Sequence, residues 1–243
     1  MRRLMLSLAF VGVVGAFIAP PAASAQQAVN FFLGGFVPKS FDSRGDINNG
    51  VSNDVLDNNL NFLAFNINRF DGVTFGGEYL VGLGDYFDAG ASIGFYQQTV
   101  PAADINFTNP GGAPIVADLK LRIVPFTATF RVLPLGHRAP VVPYAGVGIG
   151  VNYWRYSESG QFVDYTPPVG RNPNTFIATF LGSGTAVGPV VLGGVRVPIG
   201  PMAPGFEVRY QGAKGDLPTD QSFSGTKIDL GGISYLFTFE IRF

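Results

Sequence analysis

The 243-residue sequence contains no cysteine. That excludes disulfides, thiolate metal sites, a cysteine nucleophile and a lipidated cysteine. Charge is scarce: Asp, Glu, Lys and Arg make up 14 % of the chain, against about 25 % in an average soluble domain. A basic excess is missing too, since 16 basic residues stand against 17 acidic ones. Without a basic stripe to neutralise phosphates, nucleic acid is not an expected partner. After the first 18 residues no sustained apolar run follows, so no transmembrane helix is expected. What the chain does have is glycine, 33 residues, and aromatics at 14 %.

The N-terminus reads as a targeting segment. Arg2 and Arg3 precede the uncharged stretch from Leu4 to Ile18, then Pro20 and Pro21, then Ala23-Ser24-Ala25. A short basic region, an apolar core and a small-x-small site form a cleaved secretory signal peptide. The expected division is residues 1–25 as signal and 26–243 as one mature domain. The mature part, about 218 residues, suits a single all-β domain. Two arginines leave with the signal, so its net charge is about −3.

Alternation of period two dominates the mature part. From Ile233 to Phe243 every second residue is large and apolar: Tyr235, Phe237, Phe239, Ile241 and Phe243 share one face, Glu240 and Arg242 the other. Such alternation makes a strand with one apolar and one polar face. Strands are expected near 28–37, 72–83, 86–98, 118–133, 141–156, 188–198, 205–214 and 227–243. Short turns near 84–85, 135–138 and 200–204 alternate strictly with long polar connections at 38–71, 99–117, 157–187 and 215–226. That is the pattern of periplasmic turns and extracellular loops in an eight-stranded antiparallel up-and-down transmembrane β-barrel. A short helix or strand extension is expected within 53–65. On the fourth strand Lys120 and Arg122 share a parity that Thr127, Thr129 and Arg131 do not, which predicts a bulge at Pro125.

The closing segment, with Phe75-Gly76-Gly77-Glu78-Tyr79 and Pro143-Tyr144-Ala145-Gly146-Val147-Gly148-Ile149-Gly150, resembles the bacterial outer-membrane β-barrel family that includes the OmpA membrane domain, OmpX and OmpW. The resemblance covers the whole mature chain. It implies a bacterial outer-membrane location, contact with outer-membrane lipid and lipopolysaccharide, and a monomer. It also implies that the terminal Tyr235, Phe237, Phe239, Ile241 and Phe243 serve as the signal read by the barrel assembly machinery. No cell-wall-binding domain follows Phe243, so the tethering role of OmpA is not expected.

Residues suited to chemistry are few. His137, the lone histidine, falls in a predicted turn and reads as solvated, at the wrong end for a lipase-like triad. Gly146, Gly148 and Gly150 lie mid-strand with no following helix and fail as a nucleotide fingerprint. Asp42, Asp46, Asp54 and Asp57 could gather around a calcium ion, but their spacing is not that of an EF-hand. No enzyme activity, cofactor or metal is expected. The sharpest feature is a set of inward charges: Glu78, Arg131, Arg196, Glu207, Arg209, Glu240 and Arg242. Charges confined in a narrow barrel must pair, which predicts an ion-pair plug, with Glu207 and Glu240 held chiefly by Arg196, Arg209 and Arg242. The leading functional reading is a structural or surface-interaction barrel. The alternatives are a small channel or conduit for small hydrophobic molecules, and a soluble lipocalin-like binder.

Overall fold

The computed structural model describes residues 26–40, 44, 53–164 and 174–243. The expected signal peptide, Asp42 and Asp46 lie outside them. Eight long strands follow in order: β1 (Gln27–Pro38), β2 (Gly72–Gly82), β3 (Phe87–Thr108), β4 (Pro114–Val132), β5 (Val142–Val163), β6 (Thr175–Arg196), β7 (Met202–Gln211) and β8 (Gly232–Arg242). Each pairs antiparallel with its sequence neighbours, and β8 pairs back onto β1 with Phe31 opposite Phe239. The result is an eight-stranded up-and-down barrel whose ring is closed by the β8–β1 ladder, so that over the height of the shorter strands the backbone pairs internally.

The outer face carries the large apolar set. Phe31, Leu33, Phe75, Ile93, Phe126, Val147, Val187 and Phe237 are all exposed, Phe237 by 73 %. On β8 the belt runs from Ile233 to Phe243. At about 3.3 Å per residue and a tilt of about 40°, that is roughly 25 Å of height, the thickness of a lipid-facing band.

The strands β3 to β6 have 22, 19, 22 and 22 residues and rise well above this belt. The connections expected at 99–117 and 157–187 are therefore largely strand where described. Above the belt the polarity of the two faces inverts. Leu119, Leu121 and Ile123 point inward and are at most 1 % exposed, while Lys120 and Arg122 point to solvent. The expected bulge at Pro125 is absent: the β4–β5 register runs unbroken from Val132↔Ala145 to Ala117↔Gly160. What changes at Pro125 is the medium outside the wall, from apolar belt to water, so the same inward parity changes from polar to apolar.

The wide end is filled from within. Helix α1 (Val55–Asn59) is capped by the Asp54 carboxylate, which accepts from the Leu56 and Asp57 amides. A 3-10 turn at Ile67–Phe70 and a small hairpin of Lys214–Asp216 with Lys227–Asp229 join it. Val55, Leu56, Phe70 and Ile228 are fully buried against Leu119, Leu121 and Tyr156. The seventh expected strand thus stops at Gln211, and the eighth is split: residues 227–229 belong to this hairpin and 232–242 to the barrel.

Candidate functional site

The inward charges meet near the short-turn end. At the mouth, Arg242 Nε donates to Glu240 Oε1 at 2.7 Å. Arg196 donates to Glu240 Oε2 at 2.6 Å and to Asp88 Oδ2 at 2.9 Å. One layer deeper, Arg131 Nη2 bridges Glu78 Oε2 at 2.6 Å and Glu207 Oε2 at 3.0 Å. Arg209 Nε donates to Glu207 Oε1 at 2.9 Å, and Asn30 donates to Glu78 Oε2 at 3.1 Å. Tyr144 joins the two layers. Its hydroxyl donates to Glu207 at 3.0 Å, and its ring lies 4.8 Å from the Arg131 guanidinium and 5.8 Å from that of Arg196.

The seven residues singled out in the sequence are thus brought together, with corrections in the pairing. Glu240 takes Arg196 and Arg242 as expected. Glu207 takes Arg209 but not Arg196 or Arg242; its second cation is Arg131, reached from β4 across the lumen. Asp88 is the acid that sequence reasoning left out of the cluster. With it, four arginines face four carboxylates among these residues. Its signal was available, since Asp88 lies directly opposite Arg131 in the β3–β4 register. His137 is not a solvated turn residue. Its side chain is 10 % exposed, with Nε2 3.1 Å from Asp88 Oδ1. Arg196 lies 3.2 Å from Nδ1, and a donor on that side leaves the ring proton on Nε2, facing the carboxylate. The turn itself is anchored by the His137 amide donating to Asp85 O.

Glycines make the space for these long side chains. A Cβ on Gly90 would stand 2.8 Å from Glu78 Oε1, and one on Gly194 would stand 2.5 Å from the Tyr144 hydroxyl. Above Arg209 the lumen narrows to a cavity of about 20 Å³ between Phe32, Tyr96, Pro125 and Gln211. That is room for about one water. The buried apolar cluster lies above it.

At the wide end a second feature opens outward, a cleft of about 330 Å³ walled by Phe62, Leu63, Phe162, Phe176 and Phe180. Its polar floor is Glu158, whose Oε1 accepts from Asn59 Nδ2 at 2.7 Å and Tyr156 Oη at 2.9 Å. Burial pushes the Glu158 carboxyl above the ordinary carboxylate range, partly opposed by those two hydrogen bonds. Among the described residues no group of three or more metal-ligating side chains stands together. Asp54, one of the aspartates weighed for calcium, is committed to Arg44 at 3.1 Å and to the α1 cap.

The terminal aromatic face is intact as a lipid-facing row. Tyr235, Phe237, Phe239, Ile241 and Phe243 are all exposed, and the Phe243 amide donates to Gln27 O at 3.0 Å.

The sequence matches no protein-family model and no curated protein. Solved structures are similar in fold. Neisserial surface protein A shares 13 % identity over 92 % of this chain and 100 % of its own, with a TM-score of 0.45. The outer membrane protein W of E. coli shares 13 % over 91 % and 100 %, at 0.41. Ail, the attachment invasion locus protein of Yersinia pestis, shares 10 % over 90 % and 99 %, at 0.40. With TM-scores of 0.45, 0.41 and 0.40 these likenesses carry no argument, and the barrel rests on the pairing of its own strands.

Proposed function

We propose that the chain is an outer-membrane barrel with a structural or surface-interaction role, secreted by a cleaved signal peptide, with its lumen closed by charged residues. The short turns and both strand termini then face the periplasm, and the α1 cap faces the exterior. One observation carries this reading. The inward charges pair four to four beneath an apolar cluster, with a cavity of about 20 Å³ between the two layers. Paired buried charges leave little for water to solvate, and the apolar layer above has nothing to offer a passing ion. A non-catalytic role accords with the lone His137 being held by Asp88 and Arg196 at the turn end. The alternative of a conduit for small hydrophobic molecules would require the Glu158 cleft to join the lumen. The packed Tyr156, Leu119 and Leu56 lie in that route, so the cleft is read as a surface pocket. The test is conductance of the purified protein in planar bilayers. No discrete openings are expected from the wild type, and steady openings would overturn the closed-lumen reading.

A further inference from the structure

Outside the wall, just above the apolar belt, three cations stand together; the exposed Asp118, one outward position above Lys120, makes an ion pair with none of them. Arg122 on β4 and Arg155 on β5 face each other directly in the strand register, and Lys120 lies one outward position above Arg122. All three are exposed, and none makes an ion pair or hydrogen bond among the described residues. Among the described residues the cations that are not exposed are all neutralised: Lys39 is paired with Asp229, Arg44 with Asp54, and the four lumen arginines with four carboxylates; the exposed Arg69, like the cluster, makes no ion pair. Like charges directly opposite on one sheet face destabilise it. In a chain with a slight acidic excess, such a conflict calls for a counter-anion from outside.

The cluster borders an outer-wall hollow of about 310 Å³, completed by Gln97, Ser157 and Thr179. Their hydroxyls and amide add neutral donors beside the guanidinium groups. The outward row directly beneath is apolar and aromatic. Val124 and Tyr153 are register partners, and Phe126 packs edge-on against Tyr153 with centroids 5.6 Å apart. The cations therefore sit at the rim of the lipid-facing band, at headgroup height, with the belt below to hold acyl chains.

We propose that this hollow seats the phosphate of a membrane lipid in the leaflet at the wide end of the barrel, an inference that rests on the outer-membrane reading above. Arg122 and Arg155 form the phosphate clamp, Lys120 adds a point charge, and the acyl chains lie against Val124, Phe126 and Tyr153. The site is built for a phosphate carried on an acylated glycan, whose sugar hydroxyls meet Gln97, Ser157 and Thr179.

The folded protein in detergent is titrated by native mass spectrometry with three probes: bisphosphorylated lipid A, the same lipid with both phosphates removed, and inorganic phosphate. Specific adducts are expected with the first, roughly tenfold weaker binding with the second, and none with the third at equal concentration. The double variant Arg122→Ala, Arg155→Ala is expected to lose roughly tenfold in affinity for the first probe. Arg69→Ala, which removes an exposed cation away from the cluster, is expected to bind as the wild type does. Both replaced arginines are on the solvent side of continuous strands, and unchanged gel mobility before and after boiling checks that each variant is folded. Equal binding by wild type and double variant overturns the proposal, as does indifference to the phosphates. Inorganic phosphate binding as tightly as the lipid overturns the lipid as source. A chain that inserts into vesicles but fails these comparisons sinks this inference alone; one that does not insert at all sinks the outer-membrane reading with it.

Discussion

Glu207 is the least exposed charge among the described residues. It is 0 % exposed and is held by Arg131, Arg209 and Tyr144. Glu207→Ala leaves two buried guanidinium groups short of a partner, which is expected to cost about 3–5 kcal/mol. Glu240→Ala is expected to cost less, because Arg196 keeps Asp88 and Arg242 lies at the mouth. Urea unfolding of the two variants in lipid vesicles gives the order, and a larger loss for Glu240→Ala would contradict the pairing. The same change at Glu207 is expected to raise ion conductance, since uncompensated arginines recruit water and anions. At this scale the sequence was informative about which side chains point inward, because parity alone decides that. It was silent about partners reached across the lumen. Arg131 and Glu207 lie 76 positions apart, and His137 reaches Asp88 only because two turns stack.

Among the elements, β4 teaches the most. Its alternation looked broken at Pro125, yet the strand is continuous and only its surroundings change. Period-two reasoning assigns faces without knowing which face meets lipid, so an inversion of polarity is indistinguishable from a bulge in one dimension. The same blindness hid the upper halves of β3, β5 and β6, whose polar outer faces resemble loops. Helix α1 has its own test. Because the folded state holds Glu158 above the ordinary carboxylate range, the neutral acid is favoured there. The contribution of Glu158 to the cap is therefore fully present at acid pH and is lost as pH rises through the raised value. Protection of the α1 amides, corrected for intrinsic exchange, is expected to fall from acid to neutral pH in the wild type. It should stay flat in Glu158→Gln, which keeps both accepted hydrogen bonds without the charge. A pH-independent wild type would count against this account. On β8, deleting Phe243 is expected to impair assembly in cells more than the stability of the refolded barrel, because its ring covers little of the belt. Normal surface levels of the truncated protein would count against an assembly role.

For the whole molecule, eight closed ladders resist detergent, so folded protein is expected to migrate faster on gels before boiling than after. Identical migration would argue against a closed barrel in detergent. Strand number, order and the split between short and long connections were legible from turn residues and alternation. The short helix was expected within 53–65 and α1 lies there; its inward folding, and that of the hairpin of 214–216 with 227–229, was not legible, because their burial depends on contacts that exist only once the ring is made.

The seam between first and last strands has a temporal consequence. Ala28 pairs with Arg242, so the segment from residue 28 to residue 242 must be present before the ring can shut. Most of the other ladders are local hairpins, able to zip soon after synthesis or dilution, whereas this one waits for its distant ends to meet. Closure is then the slow, late event of folding, and until it happens β1 and β8 are open edges that invite aggregation. Joining residue 243 to residue 26 by a short linker and opening the chain at the 110–112 tip would make that seam a hairpin. Such a permutant should refold faster than the natural order at similar final stability.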